Sequence, residues 1–498
     1  MMMLIIFMVF LPFLLIFFLK YFSIGVSHDQ SQLPPGPYTW KILRNISLFK
    51  NSPHIAFNNL AKIYGPLFSI RIGGQLVVVA SSQTTAKEIL KNRTTSGRFL
   101  PSLYYSIPGT THLSVVSAKE CDDMWKSLRT IGQSYIFSSK AIEANTLIRK
   151  NKVMEMMNYL RTKEGESLNI ENVIFATISN IVANILASRN LFSINLDGIA
   201  DRKLVALIHE IVGKANSPGL GDLFSIFKRI DFWSKRSAMD MYRLIKFAWG
   251  DIIKERRASI RHDSEQDFFD VLAQNAYSDD QIASLLMEFL TAGTHTTTMT
   301  TVMLMIKLMK NQEILFRVRD EISNQALDGN SINESRLSEC QYFQACIKEI
   351  LRLHIPGAFG VPHRAIETCK VNNYTIPKDT IILVNFWAIH LDPNNWEDPE
   401  SFKPERFLGS NIDFMGAHFQ FLPFSAGQRM CPAANVAVKN VQLIVAYLVY
   451  YFDWNFPDDV NQSNLDEIMG KLKTTFEKEN PLCLIPKIRE QHIFEQCI

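Results

Sequence analysis

Hydrophobic positions along the chain fall into a few regular patterns. Residues Met1 to Leu19 carry no charge and are almost all apolar, and Lys20 closes the run. About 20 apolar residues span a bilayer core as a helix. No basic residue precedes the run, and Tyr21-Phe22 stand where a signal cleavage site wants small residues. An uncleaved anchor over 1–20 is therefore the preferred reading over a cleaved signal. Lys20, Lys41, Arg44 and Lys50 follow the run, which keeps the body of the protein on the cytoplasmic side. Pro12 kinks such a helix without forbidding it.

Beyond the anchor, residues 21–37 read as a polar and proline-rich hinge ending in Leu33-Pro34-Pro35-Gly36-Pro37, a stiff spacer or an ordinary Pro-rich linker. Leu67 to Ala80 alternates and is β-branched, which predicts a hairpin turning at Gly73-Gly74. From about 120 to 310 the period is mainly helical. A second extended region runs from Lys370 to Asn385, with turns at Asn372-Asn373 and Pro377-Lys378, and a long helix follows Pro432. The pattern predicts a mainly α fold with a minor β region, one catalytic unit over 38–498, and no internal repeat.

Composition narrows the function. Apolar residues make up 47% of 498, enough for a large core. The net charge of +3 offers no general basic face, so nucleic acid is not an expected partner. Seven scattered cysteines form neither a CxxC pair nor a disulfide framework, which points to a reducing compartment. Sequons such as Asn45-Ile-Ser47 carry no meaning there. No Gly-rich dinucleotide fingerprint is present, and Gly73-Gly74 is a turn signal only.

The most informative segment is Phe424-Ser-Ala-Gly427-Gln-Arg429-Met-Cys431-Pro432, of the form F-x-x-G-x-R-x-C. Chance produces it roughly once in a thousand chains of this length. Pro432 suits the first position of a helix, which would set Cys431 at a helix N-terminus and favour its thiolate. Gly427 permits a sharp turn, and Arg429 supplies a cation. A lone cysteine on an apolar helix is ordinarily a buried structural thiol; the surrounding motif reverses that.

With these residues the chain resembles the cytochrome P-450 superfamily of haem-thiolate monooxygenases. The likeness runs from the anchor to Pro481–Pro486 and is nearest to the plant microsomal, alkaloid-oxidising group that includes N-methylcoclaurine hydroxylase and littorine mutase. The resemblance implies haem b, with Cys431 as the axial ligand to iron. It implies that Phe424 and Arg429 belong to the haem-binding loop. It further implies propionate contacts from Trp125 and Arg129, from His363 and Arg364, and from Arg98. Glu349-Ile-Leu-Arg352 would form with Arg406 a structural charge network, although an E-x-x-R alone is a common helical ion pair. NADPH electrons would come from a membrane-bound NADPH–cytochrome P-450 reductase docked by basic residues on the cysteine face. The setting would be the endoplasmic reticulum membrane, with a small hydrophobic substrate and the lipid bilayer as further partners.

Residues 279 to 310 read as one long, buried helix, with Ser278 and Gln281 as a capping box. At its centre lies Ala292-Gly293-Thr294-His295-Thr296-Thr297. Gly293 allows close approach of a ligand, and the threonines can open the helix by bonding to its carbonyls. The resemblance makes Thr296 the alcohol that acts in oxygen activation. His295 stands where an acid is usual. It either relays protons itself or marks chemistry less dependent on a standard relay, and neutral drift is the plain alternative. Milder departures are Ala433 for a usual Gly, Gln428 for Arg, and Lys41 and Arg44 after the hinge. By position, a pocket would include Leu100, Tyr104, Phe289, Ala292, Ala358 to Val361 and Lys473 to Phe476. Leu223 to Trp233 reads as an internal amphipathic helix or as a membrane contact at the substrate entrance. The leading reading is a membrane-anchored monooxygenase acting by hydroxylation, phenol coupling or oxidative rearrangement. The alternatives are a haem-thiolate isomerase needing no external electrons and a non-catalytic scaffold.

Overall fold

The computed structural model describes residues 32–37, 52–108, 113–215, 220–223, 232–260, 266–329, 331–457 and 482–489. The expected anchor over 1–20, most of the hinge, Lys41, Arg44, Lys473 to Phe476 and most of Leu223 to Trp233 lie outside them. Helix dominates and strands form a small region, as the hydrophobic pattern implies.

The hairpin forms where alternation predicts it. Strands β1 (Leu67–Ile72) and β2 (Gln75–Ala80) pair antiparallel from Leu67↔Ala80 to Ile72↔Gln75, with Gly73 at φ +61° in the turn. Three further strands, β3 (Gly97–Arg98), β4 (His363–Arg364) and β5 (Ile381–Val384), complete a sheet of order β1-β2-β5-β4-β3. The extended region after Lys370 divides at its turns. Cys369–Val371 and Tyr374–Ile376 form their own hairpin about Asn372, while β5 joins β2 in parallel. Arg98 lies opposite His363 across β3 and β4, so two distant segments arrive side by side.

The proline segment does not stand off as a spacer over its described part. Ser69 of β1 donates its amide to the Pro35 carbonyl at 2.8 Å and its hydroxyl to the Pro34 carbonyl at 2.7 Å. A Cβ on Gly36 would fall 1.7 Å from the Ser69 carbonyl oxygen. Proline carbonyls remain good acceptors although the ring nitrogen donates nothing, so the strap lies along the sheet edge.

Two helices carry the core. Helix α3 (Ile170–Ala187) is apolar and long enough to cross a membrane by composition, yet 78% of it is buried inside the protein, which identifies it as a core helix. Helix α5 (Asp279–Lys310) packs against α3, against Phe232–Arg257 and against the helices α6 (Gln341–Leu353) and α7 (Ala434–Tyr451). Ser278 accepts from the Gln281 amide at 3.3 Å and donates its own amide to the Gln281 side chain at 2.8 Å, the expected capping box. At Gly293 an added Cβ would meet only Val182 of α3, at 3.4 Å.

Candidate active site

The cysteine loop is held by its own backbone. The Cys431 amide donates to the Phe424 carbonyl at 3.0 Å, and the Phe424 ring meets Phe414 edge-on at 5.5 Å. Ser425 at φ +63° and Gly427 at φ +72° make the turn. Gly427 lies against helix α1 (Gln83–Lys91) so closely that a Cβ would sit 2.0 Å from the Leu90 carbonyl oxygen. Helix α7 begins at Ala434 and is capped by Ala433, so Pro432 precedes the cap rather than filling the first helical position. Ala433 has φ −93°, a conformation that asks nothing special of glycine. The Ala433 amide and the Arg129 charge favour the Cys431 thiolate, but burial outweighs both and pushes the thiol up. A helix end alone therefore does not ionise Cys431; ligation to a metal does that for a coordinating thiol.

Around this loop, four sequence-predicted residues converge. Arg98 donates to the Val361 carbonyl at 2.6 Å and to the Arg429 carbonyl at 3.4 Å. Arg429 donates to the Ser96 and Ala118 carbonyls at 2.9 and 2.6 Å. Arg129, on helix α2 (Asp123–Gly132), donates to the Met430 carbonyl at 3.1 Å. His363 sits opposite Arg98, with Nδ1 2.9 Å from the Thr95 carbonyl. Burial and the neighbouring Arg429 push Arg98 down to about 9, and burial with the two arginines holds His363 well below its ordinary value. The Arg98 Nε is buried with no hydrogen-bond partner among the described residues.

Two of the expected contacts fall differently. The Trp125 indole N–H is committed to the Val115 carbonyl at 2.9 Å. Trp125 instead offers its ring to Arg429 at 4.8 Å and to Arg129 at 5.4 Å, an aromatic plate for two cations. Arg364 is not brought into the cluster. Neighbours on a strand point to opposite faces, and Arg364 pairs outward with Asp379 and with Glu120 at 3.1 Å.

The charge network assembles behind the loop. Glu349 and Arg352 are fully buried and share two bonds of 2.8 and 2.9 Å. Arg406 Nε and the Lys403 amide each reach Glu349 at 3.0 Å. Arg352 continues to the His390 carbonyl at 2.9 Å. His390 itself was not singled out by the sequence, because a lone histidine carries no pattern. Its Nε2 accepts from the Leu422 amide at 2.8 Å and its Nδ1 lies 3.2 Å from the Arg352 carbonyl. Burial and the Arg352 charge push it down to about 3, which keeps it neutral and its Nε2 an acceptor. It thus ties the network to the segment that leads into the cysteine loop.

Along the middle of α5, Ala292 and Thr296 are exposed while most of their neighbours are buried or half-buried. Spaced four apart, they share one face, which the other described residues leave uncovered. The Thr296 hydroxyl donates to the Ala292 carbonyl at 2.9 Å, and Thr297, Thr298, Thr300 and Thr301 bond back in the same way. The helix stays continuous through these bonds instead of opening. His295 occupies the adjoining face, buried, with its ring edge-on to His209 at 5.4 Å. His209 lies on helix α4 (Ile199–Ala215). Burial first, then His209, pushes His295 down to about 4, and its Nε2 has no hydrogen-bond partner among the described residues. Of the other pocket residues, Phe289 packs into the core against Phe268 and Phe137, at 5.1 and 5.8 Å. Phe359 packs on Phe57 at 5.5 Å, and Ala358 and Leu100 are buried. The Tyr104 hydroxyl donates to the Ile211 carbonyl of α4.

A family model described as Cytochrome P450 matches residues 34–479. The chain belongs to the cytochrome P450 family. It is 38% identical over 483 residues to a probable (S)-N-methylcoclaurine 3'-hydroxylase isozyme 2 of Coptis japonica, covering 96% of this chain and 98% of that one. It is 35% identical to corytuberine synthase of Coptis japonica (96% and 98% covered) and 32% identical to berbamunine synthase of Berberis stolonifera (92% and 95% covered). A zebrafish cytochrome P450 solved with progesterone shares the fold, with a TM-score of 0.73 at 22% identity over 87% of this chain and 99% of that one. The chain is a P450 monooxygenase, with haem b and electrons supplied from NADPH by a reductase. The residues present fit haem. A dianionic group would satisfy the crowded guanidinium groups and the Arg98 Nε, and Cys431 offers the soft ligand iron takes in this family.

Glu349→Gln leaves two arginines facing a neutral amide in the interior and costs about 3–5 kcal/mol, read from urea unfolding. Unfolding at unchanged urea would exclude a supporting role for the network. Gly427→Ala drives a Cβ into the Leu90 carbonyl and costs about 1–3 kcal/mol by the same measurement. His295 and His390 stay neutral when folded but bind protons near 6.5 when unfolded. Stability therefore falls by about 1.4 kcal/mol per pH unit for each as pH drops from 6.5 towards 4. His390→Phe should flatten that slope, and an unaltered slope would exclude His390.

Proposed function

We propose that the chain is a membrane-anchored plant monooxygenase that oxidises an alkaloid, by hydroxylation, phenol coupling or oxidative rearrangement. The observation that carries this reading is near-full-length likeness to enzymes named for such products and substrates, joined to an assembled Cys431 site. Residues 1–20 anchor it to the endoplasmic reticulum membrane with the catalytic unit, 38–498, in the cytoplasm. The reductase docks on the cysteine face.

Cys431 would hold the haem iron, and Phe424 and Arg429 belong to the loop that presents it. Arg98, Arg129, Arg429 and His363 would receive the propionates, with the Trp125 ring against Arg129 and Arg429. Glu349, Arg352 and Arg406 keep the loop's support rigid. Bound there, haem supplies the oxygen-activating chemistry. Thr296 presents a hydroxyl on the uncovered face while bonded to Ala292. Its oxygen still accepts a hydrogen bond, so it can hold a water or pass a proton at that face. His295 stands behind it, neutral and buried, with a ring nitrogen that has no hydrogen-bond partner among the described residues.

With reductase, NADPH and a benzylisoquinoline panel, product formation requires both reductase and NADPH. Turnover without either would instead favour the isomerase reading. Thr296→Ala lowers product formed per NADPH by about tenfold or more while leaving substrate affinity intact. Equal yields from the two proteins would remove Thr296 from the relay. His295→Asp shifts both this yield and the product distribution; if neither moves, His295 is a packing residue.

A further inference from the structure

Two histidine rings meet where α4 packs on α5, one residue away from Thr296. His295 of α5 is buried, and His209 of α4 is exposed. The rings stand edge-on, with centroids 5.4 Å apart. Among the described residues neither ring makes a hydrogen bond, and the His295 Nε2 is shut off from solvent without a partner. A buried polar nitrogen left in that state asks for an occupant.

Packing fixes the pair without filling that need. Phe175 of α3 lies nearly parallel to the His209 ring at 6.5 Å, and its own far side meets Phe192 edge-on at 5.5 Å. The Tyr104 hydroxyl donates to the Ile211 carbonyl, two residues beyond His209, and so restrains this end of α4. The spacing of the rings suits a shared ion. Two imidazoles on one tetrahedral ion hold their ring centres about 5 Å apart, given metal–nitrogen bonds of about 2 Å. Imidazole is a ligand that zinc, copper and nickel accept. Burial pushes His295 down to about 4, so at neutral pH one ring nitrogen carries a free lone pair and no proton must leave it first. Glu171, in the first turn of α3, adds a negative charge that favours a cation beside His295. The exposed His209 gives an ion its way in from solvent.

We propose that His209 and His295 form a two-histidine site for a divalent transition-metal ion, with Zn2+ as its redox-silent occupant. Each neutral imidazole gives a lone pair to the ion, waters complete the tetrahedron, and no electron is transferred. Bound there, the ion pins α4 to α5 and occupies the nitrogen of His295. It therefore acts as a brake on turnover at the neighbouring Thr296. The site itself belongs to two helices of the protein and stands whatever the substrate is.

The test uses tag-free, full-length, haem-loaded enzyme dialysed against buffered micromolar Zn2+, with bound metal counted by mass spectrometry. Wild type should hold one ion that His209→Gln and His295→Phe each bind about tenfold or more weakly. His209 is exposed, so His209→Gln should unfold in urea as wild type does when metal is absent. With Zn2+ present, wild type should gain resistance to urea and His209→Gln should gain none. A wild type that takes up no ion overturns the proposal, and so does either variant holding it as tightly as wild type. These readouts need no substrate, so a failure of the alkaloid reading leaves them intact. With the same reductase, Zn2+ should also lower product formed per NADPH in wild type and spare His209→Gln. Equal inhibition of the two proteins would place the inhibitory ion elsewhere and overturn the brake.

Discussion

Buried positive charge beside a cysteine is the constraint on which this structure turns. Arg98, Arg129 and Arg429 are fixed by backbone carbonyls around the Cys431 loop, and burial first, then the neighbouring arginines, lowers the Arg98 pKa to about 9. Carbonyls orient a guanidinium but do not neutralise it, and desolvated charge is costly. An anion would complete the arrangement, and the carboxylates of haem would supply one beside the thiol that would ligate its iron. Binding of the cofactor would then also relieve the crowded charge.

The rest of the fold can be understood as holding that cluster in register. Strands β3 and β4 bring Arg98 opposite His363 from distant parts of the chain. The Glu349–Arg352–Arg406 network supports the cysteine segment through neutral His390, whose two ring nitrogens face Arg352 and Leu422. Helix α5 leaves Ala292 and Thr296 uncovered on one face. The helix stays continuous while its threonine hydroxyls bond to the carbonyls four residues before them.

Much of this was legible from residue patterns. The hairpin at Gly73-Gly74, the bounds and cap of α5, and the helix after Pro432 follow from alternation, periodicity and capping chemistry. The Cys431 motif and the E-x-x-R pointed to a family because their spacing is specific. What escaped the sequence was direction. A two-residue strand sends His363 inward and Arg364 outward, and no pattern distinguishes them. His390 was missed because its role depends on two carbonyl and amide partners far away in sequence. The proline strap was expected to stand apart, and only the edge of β1 reveals why it lies down.

The most direct test of the account is the absorption spectrum of the dithionite-reduced, CO-bound full-length protein, with and without Cys431. The account predicts a strongly red-shifted Soret band for wild type and its loss in Cys431→His, with haem still bound through the cationic cluster. An unshifted band in well-folded, haem-loaded wild type would show that Cys431 does not ligate the iron, and would contradict the reading of the site.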